Sequence, residues 1–121
     1  MRRILVTEDS ATMRSLLIST IESCGDYEVV EASSGFEALR LLPREHIDLI
    51  ITDINMPDIN GLELIRYVRN NTNYINTPLF IISTEGREKD VEKGLSLGAD
   101  EYLVKPINPA RLQQLIAKYI G

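Results

Sequence analysis

Short apolar runs alternate with longer segments of helical period along the whole chain, and that alternation leaves few folds open. Ile4 to Thr7, Val29 to Ala32, Leu49 to Thr52, Leu79 to Ser83 and Tyr102 to Val104 are runs of strand length. Several are apolar at consecutive positions, so both faces need cover, as in the central strands of a parallel sheet. Between them, Met13, Leu17, Ile21 and Cys24 recur at spacings of three or four, and Leu112, Leu115, Ile116 and Tyr119 form a similar set. Each set is the one-sided stripe of an amphipathic helix. Boundary residues agree. Ser10 is placed to cap the first helix and Gly25 to end it. Asn108-Pro109 puts proline at the first position of the last helix, where its missing N–H costs nothing. Strand then helix, five times over with short connections, predicts an α/β fold with parallel strands and right-handed crossovers.

The 121 residues suffice for one domain and are too few for two, so a single domain spanning 1–121 is expected. Against 13 basic residues stand 18 acidic ones, a net charge of −5. That balance argues against a nucleic-acid-binding surface, which needs clustered Lys and Arg. The one cysteine, Cys24, excludes an internal disulfide and suits a reducing cytoplasm, the expected location. No apolar run approaches the roughly 18 residues that a membrane span requires. Thr7-Glu8-Asp9 interrupts the run after Arg2-Arg3 too early for a signal peptide.

In open α/β sheets, ligands bind beyond the carboxyl ends of the strands, where strand order reverses. Here the first strand runs into Glu8-Asp9 and the third into Asp53. If those strands are neighbours, three carboxylates converge and repel, and a divalent cation relieves the conflict. An all-oxygen donor set favours Mg²⁺, Ca²⁺ or Mn²⁺ over zinc, and a site with few protein ligands suits Mg²⁺. Across the same mouth the fourth strand ends in Ser83-Thr84 and the fifth leads to Lys105-Pro106. A hydroxyl and an ammonium facing a metal can clamp an anion with several oxygens. Phosphoryl transfer needs this set together with a positioned nucleophile, and Asp53 would supply a carboxylate that forms an acyl phosphate. Each residue also has an ordinary reading: Asp53 as a turn cap, Lys105 as a solvated lysine, Tyr102 as a packing aromatic. The constellation outweighs them. His46 and Cys24 carry only ordinary readings, as a connecting residue and the end of a helical stripe.

The residues I-L-V-T-E-D at 4–9, D-I-N-M-P at 53–57, D-I-N-G at 58–61, I-I-S-T at 81–84 and G-A-D-E-Y-L-V-K-P at 98–106 occur in order. Together they make the chain resemble the receiver domain of two-component response regulators, in particular its CheY-like single-domain members. The resemblance covers essentially the whole chain. It implies a (βα)5 flavodoxin-like fold, with a five-stranded parallel sheet in order 2-1-3-4-5 and helices on both faces; that order comes from the family. It also implies Asp53 as phospho-acceptor, Lys105 as the lysine paired with the phosphoryl group, and Ser83 as switch hydroxyl. Asp9, Glu8, Asp53 and the Asn55 carbonyl would be the Mg²⁺ site, with Glu8 acting through a water. Tyr102 falls at the aromatic switch position, and a cis Lys105-Pro106 peptide is expected. Asn55, Thr84 and Glu85 occupy positions that tune reaction rates. Thr84 departs from the family's usual Ala or Gly, and its branched side chain could narrow the approach of donor or water. The implied partners are a sensor histidine kinase or phosphotransfer protein, and an effector bound on the face made by the fourth helix, fifth strand and fifth helix. Chemotaxis and motility are among the pathways that fit.

The expected activity is that of a phospho-acceptor promoting only its own phosphorylation and dephosphorylation, rather than an enzyme with an external substrate. A hydrolase passing through an aspartyl phosphate carries a second Asp two residues after the nucleophile as general acid, and here that position is Asn55. A phosphorylation-independent interaction module would be favoured by loss of Asp9, Asp53 or Lys105, and none is lost. A receiver excised from a longer regulator is a further alternative. Met1 directly before the first strand and the short tail after the last helix favour a natural single-domain protein. No dinucleotide-binding or P-loop glycine pattern occurs. Asp48 and Asp58 are expected to lie outside the site.

Overall fold

The computed structural model describes residues 1–121. Five strands and five helices alternate: β1 (Arg2–Thr7), α1 (Ala11–Glu22), β2 (Tyr27–Ala32), α2 (Gly35–Leu41), β3 (Leu49–Asp53), α3 (Gly61–Asn70), β4 (Leu79–Ser83), α4 (Glu88–Ser96), β5 (Glu101–Val104) and α5 (Pro109–Ile120). All strand pairs are parallel and the sheet order is β2-β1-β3-β4-β5. The order therefore reverses between β1 and β3.

Each central strand divides its side chains between two cores. Ile4, Val6, Leu49, Ile51, Phe80, Ile82 and Leu103 pack with Leu17 and Ile21 of α1 and with Leu112, Leu115, Ile116 and Ile120 of α5. Leu5, Ile50, Leu79 and Ile81 pack on the other face with Ala38 of α2 and Leu64, Ile65 and Val68 of α3. β3 and β4 are buried at every position, which is why their sequences read as unbroken apolar runs.

Two strands start ahead of their apolar signal. β1 and β2 begin at Arg2 and Tyr27, two residues before the apolar runs. There Arg3 lies opposite Glu28 in register and pairs with it at 3.3 Å, so a charged cross-strand pair extends the ladder where an apolar one would. The Ser10 cap and Pro109 at the start of α5 form as expected, and Asn108 proves to be a cap as well; the Ser10 and Asn108 side chains each accept the backbone N–H three residues on. Gly25 does not cap α1. The helix ends at Glu22, and Ser23, in right-handed conformation, returns its N–H to the Ser19 carbonyl. Cys24 therefore lies beyond the helix, its thiol directed to the Ile21 carbonyl. At the far end of the sheet from the β3 carboxyl terminus, Asp48 accepts the Arg3 N–H at 2.8 Å and contacts His46 Nε2 at 2.9 Å. It ties the start of β3 to β1 and takes no part in the opposite mouth.

Truncating Ile51, fully buried between the sheet and α1/α5, to alanine should lower the unfolding free energy by about 2–5 kcal/mol in urea denaturation. The same change at the exposed Leu16 should cost about 0.5 kcal/mol or less.

Candidate functional site

Strand alternation aims the site. Glu8 lies two residues beyond Val6, Asp53 two beyond Ile51 and Lys105 two beyond Leu103, so all three continue rows of the α1/α5 face. Because β1 and β3 are adjacent, the two carboxylates meet at the carboxyl end of the sheet. Glu8 is 1% and Asp53 5% exposed. The Lys105 Nζ donates to Glu8 Oε1 at 2.8 Å and to Asp53 Oδ2 at 3.3 Å. Its backbone N–H binds the Ser83 carbonyl at 2.7 Å, fixing the start of that reach, and the Lys105-Pro106 peptide is cis. Burial alone would lower the ammonium's pKa. The hydrogen bond it donates to Glu8, the nearby Asp53 charge and the remaining contacts with both acids reverse that and hold it above its ordinary value.

Glu8 is held from both ends. Its Oε2 accepts the Ser10 N–H at 3.1 Å, and its carbonyl accepts Arg14 Nη1 at 2.7 Å. Asp9, next along the chain, is exposed. One carboxylate oxygen from each of Glu8, Asp9 and Asp53 lies within 4.8 Å of the others. Three carboxylates against one ammonium leave a formal excess of two negative charges, which complements a divalent cation. All-oxygen donors of this kind fit a hard ion.

The turn after β3 folds back on the nucleophile's own strand. Gly61 donates its N–H to the Ile54 carbonyl at 2.9 Å, and a Cβ there would collide with the Asp53 carbonyl oxygen and the Ile54 Cα. Only glycine permits that approach. The Asn55 N–H points to Asp53 Oδ1 at a long 3.4 Å, and Thr52 Oγ1 donates to the Asp53 carbonyl at 2.9 Å.

Ser83 is fully buried, but it is not joined to the acids. By alternation it follows Ile81 on the α2/α3 side, and its Oγ accepts the Glu85 N–H at 3.0 Å. Tyr102, paired with Ile81 in register, is half-buried against the same core. Its hydroxyl donates to the Glu85 carbonyl at 2.6 Å. Both switch candidates thus converge on the backbone of Glu85. Thr84 and Glu85 are exposed at the mouth. Two contacts were not apparent from residue order: the direct Glu8–Lys105 pair, where the resemblance implied only water-mediated metal contact for Glu8, and the Arg14 bond behind Glu8. The i, i+6 placement of Arg14 after an acidic turn is the only trace of the second.

The family model of the response regulator receiver domain matches residues 4–117. The chain is 38% identical over 120 residues to a chemotaxis protein CheY homolog of Campylobacter jejuni, covering 98% of this chain and 92% of that protein. It is 36% identical to the chemotaxis protein CheY1 of Helicobacter pylori, covering 98% and 97%. The structure of the chemotaxis response regulator CheY4 of Vibrio cholerae superposes with a TM-score of 0.90 at 34% identity over 99% of both chains.

Replacing Glu8 by Gln should bring the Lys105 pKa down toward the ordinary lysine value, read by NMR titration of the Nζ resonance. The folded-state pKa is raised, so the pair's contribution to stability is complete below the unfolded-state pKa and fades as pH rises through the folded one. An unchanged Lys105 titration in Glu8→Gln would contradict the pairing.

Proposed function

The chain belongs to the response regulator receiver domain family, and from that premise we propose that Asp53 accepts a phosphoryl group from the phosphohistidine of a sensor kinase or phosphotransfer protein. The observation that carries the reading is the Lys105 ammonium bridging the buried Glu8 and Asp53 carboxylates, with Asp9 beside them. An Asp53 carboxylate oxygen bonds to phosphorus as the P–N bond breaks; the imidazole keeps the bonding pair and takes up a proton. Lys105, already at Asp53, is placed to hold a phosphoryl oxygen as charge builds on it. A bound divalent cation, which we take to be Mg²⁺, supplies charge neutralisation for the phosphoryl oxygens, and Glu8, Asp9, Asp53 and the Asn55 carbonyl would hold it. Later attack of water on phosphorus returns the carboxylate and inorganic phosphate. Asn55, an amide, cannot act as general acid or base at that step, which suits a store of signal rather than a hydrolase. The protein acts chemically on itself alone.

The output follows from Glu85. A phosphoryl group at Asp53 offers the Ser83 hydroxyl an anionic acceptor to which it can donate, and drawing Ser83 inward frees the Glu85 backbone that Tyr102 also holds. The face of α4, β5 and α5, where Leu95 and Val104 are exposed, would then change shape and meet an effector protein. Similarity to CheY homologues supports an effector in chemotaxis or motility. No helix is long and apolar enough to cross a membrane, which accords with a cytoplasmic site of action.

Incubation with Mg²⁺ and acetyl phosphate should give one phosphoryl adduct by intact mass. Asp53→Asn should abolish it, and Lys105→Ala should slow it about a hundredfold. No adduct on the native chain, or an undiminished one on Asp53→Asn, would overturn the reading.

A further inference from the structure

Asp58 lies five residues past the nucleophile in the β3–α3 turn, yet its carboxylate is committed to another element. Its Oδ1 accepts the Gly35 N–H at 3.1 Å and its Oδ2 the Phe36 N–H at 2.9 Å. These are first-turn N–H groups of α2, which no residue within the helix can satisfy. The helix has its own cap as well: Ser34 Oγ accepts the Glu37 N–H at 3.1 Å. Asp58 is therefore an addition to ordinary capping. A second contact reinforces it. Ile59 sits directly over Gly35, where a Cβ would lie 2.7 Å from the Ile59 Cβ and 3.0 Å from its carbonyl oxygen. The bonds from Phe36, and with them those from Ile59 and Gly35, depress the Asp58 pKa to about 2, so the carboxylate is ionised across the physiological range.

We propose that Asp58 is a positioning residue: by clamping the β3–α3 turn to the start of α2, it fixes the backbone of Asn55 beside Asp53. The turn is then held at two points. Gly61 fastens its far end to Ile54, and Asp58 with Ile59 fastens its middle to α2. Asn55 and Met56 lie between the Asp53 carboxylate and that second anchor. Without it, the segment that presents the Asn55 carbonyl keeps only short-range bonds, Met56 N–H to the Ile54 carbonyl at 3.1 Å and the long Asn55–Asp53 contact, and the Gly61 anchor. The inference rests on the reading of Asp53 and Asn55 as the phosphorylation and metal site. It assigns α2 a part in that site although none of its side chains enters it.

The test compares Asp58→Ala, Asp58→Asn and Ser34→Ala. Ser34→Ala loosens the same helix without releasing the turn, and should lower Tm by a few degrees while leaving Mg²⁺ affinity, measured by calorimetry, within about twofold of native. Asp58→Ala should weaken Mg²⁺ binding about tenfold, the size seen when a residue supporting a metal ligand is lost. It should also speed amide hydrogen exchange at residues 54–61. Asp58→Asn, which keeps one oxygen acceptor, should fall between and guards against misfolding of the alanine variant. Native Mg²⁺ affinity and native exchange at residues 54–61 in both Asp58 variants would overturn the proposal, and so would equal losses in Ser34→Ala. If the native chain binds no Mg²⁺, the functional reading fails. The exchange measurement then still decides whether Asp58 holds the turn.

Discussion

One ammonium group holds the mouth of the sheet together. Glu8 and Asp53 come from adjacent parallel strands and are almost wholly withdrawn from water, a costly arrangement unless a counter-charge is supplied at hydrogen-bonding distance. Lys105 supplies it from beyond β5, two strands away from β3. That reach is possible only with β4 ending at Ser83, whose carbonyl seats the Lys105 backbone. Strand order, the length of β4 and the lysine side chain are therefore mutually constrained. Asp9 then stands at the rim of a site that already carries more negative than positive charge.

Much of this was legible in the sequence because period-two alternation does two jobs at once. The rows that bury Val6, Ile51 and Leu103 are the rows that, two residues on, deliver Glu8, Asp53 and Lys105. A strand rigid enough to be buried on both faces fixes its last side chain by the same packing. The five strands and their alternation with helices could be read because central strands are unbroken apolar runs, whereas the sheet order came from the family resemblance. The starts of β1 and β2 could not be bounded, since Arg3 and Glu28 extend the ladder through charge. Gly25 misled because a helix can close through a right-handed residue such as Ser23 as readily as through a glycine.

What the sequence hid depends on side-chain direction between distant elements. Nothing in the order of residues says that Glu8 grasps Lys105, or that Ser83 and Tyr102 share the backbone of Glu85 instead of facing Asp53. Asp58 was correctly placed away from the acids, but its two bonds to α2 join residues more than twenty apart. Those bonds link a crossover helix to the turn that follows the nucleophile. The site is a small acidic cluster whose supports come from all five strands, β2 included through the Ala32 carbonyl that accepts the Glu8 N–H, and from the start of α2.

The most direct test of the account is to locate the phosphoryl group. After reaction with Mg²⁺ and acetyl phosphate, borohydride reduction converts an aspartyl phosphate to homoserine, which peptide mass mapping places in the sequence. Homoserine at position 53, and at no other aspartate, is the expected result. Homoserine at Asp9, Asp48 or Asp58, or a label on His46 that resists reduction, would contradict it.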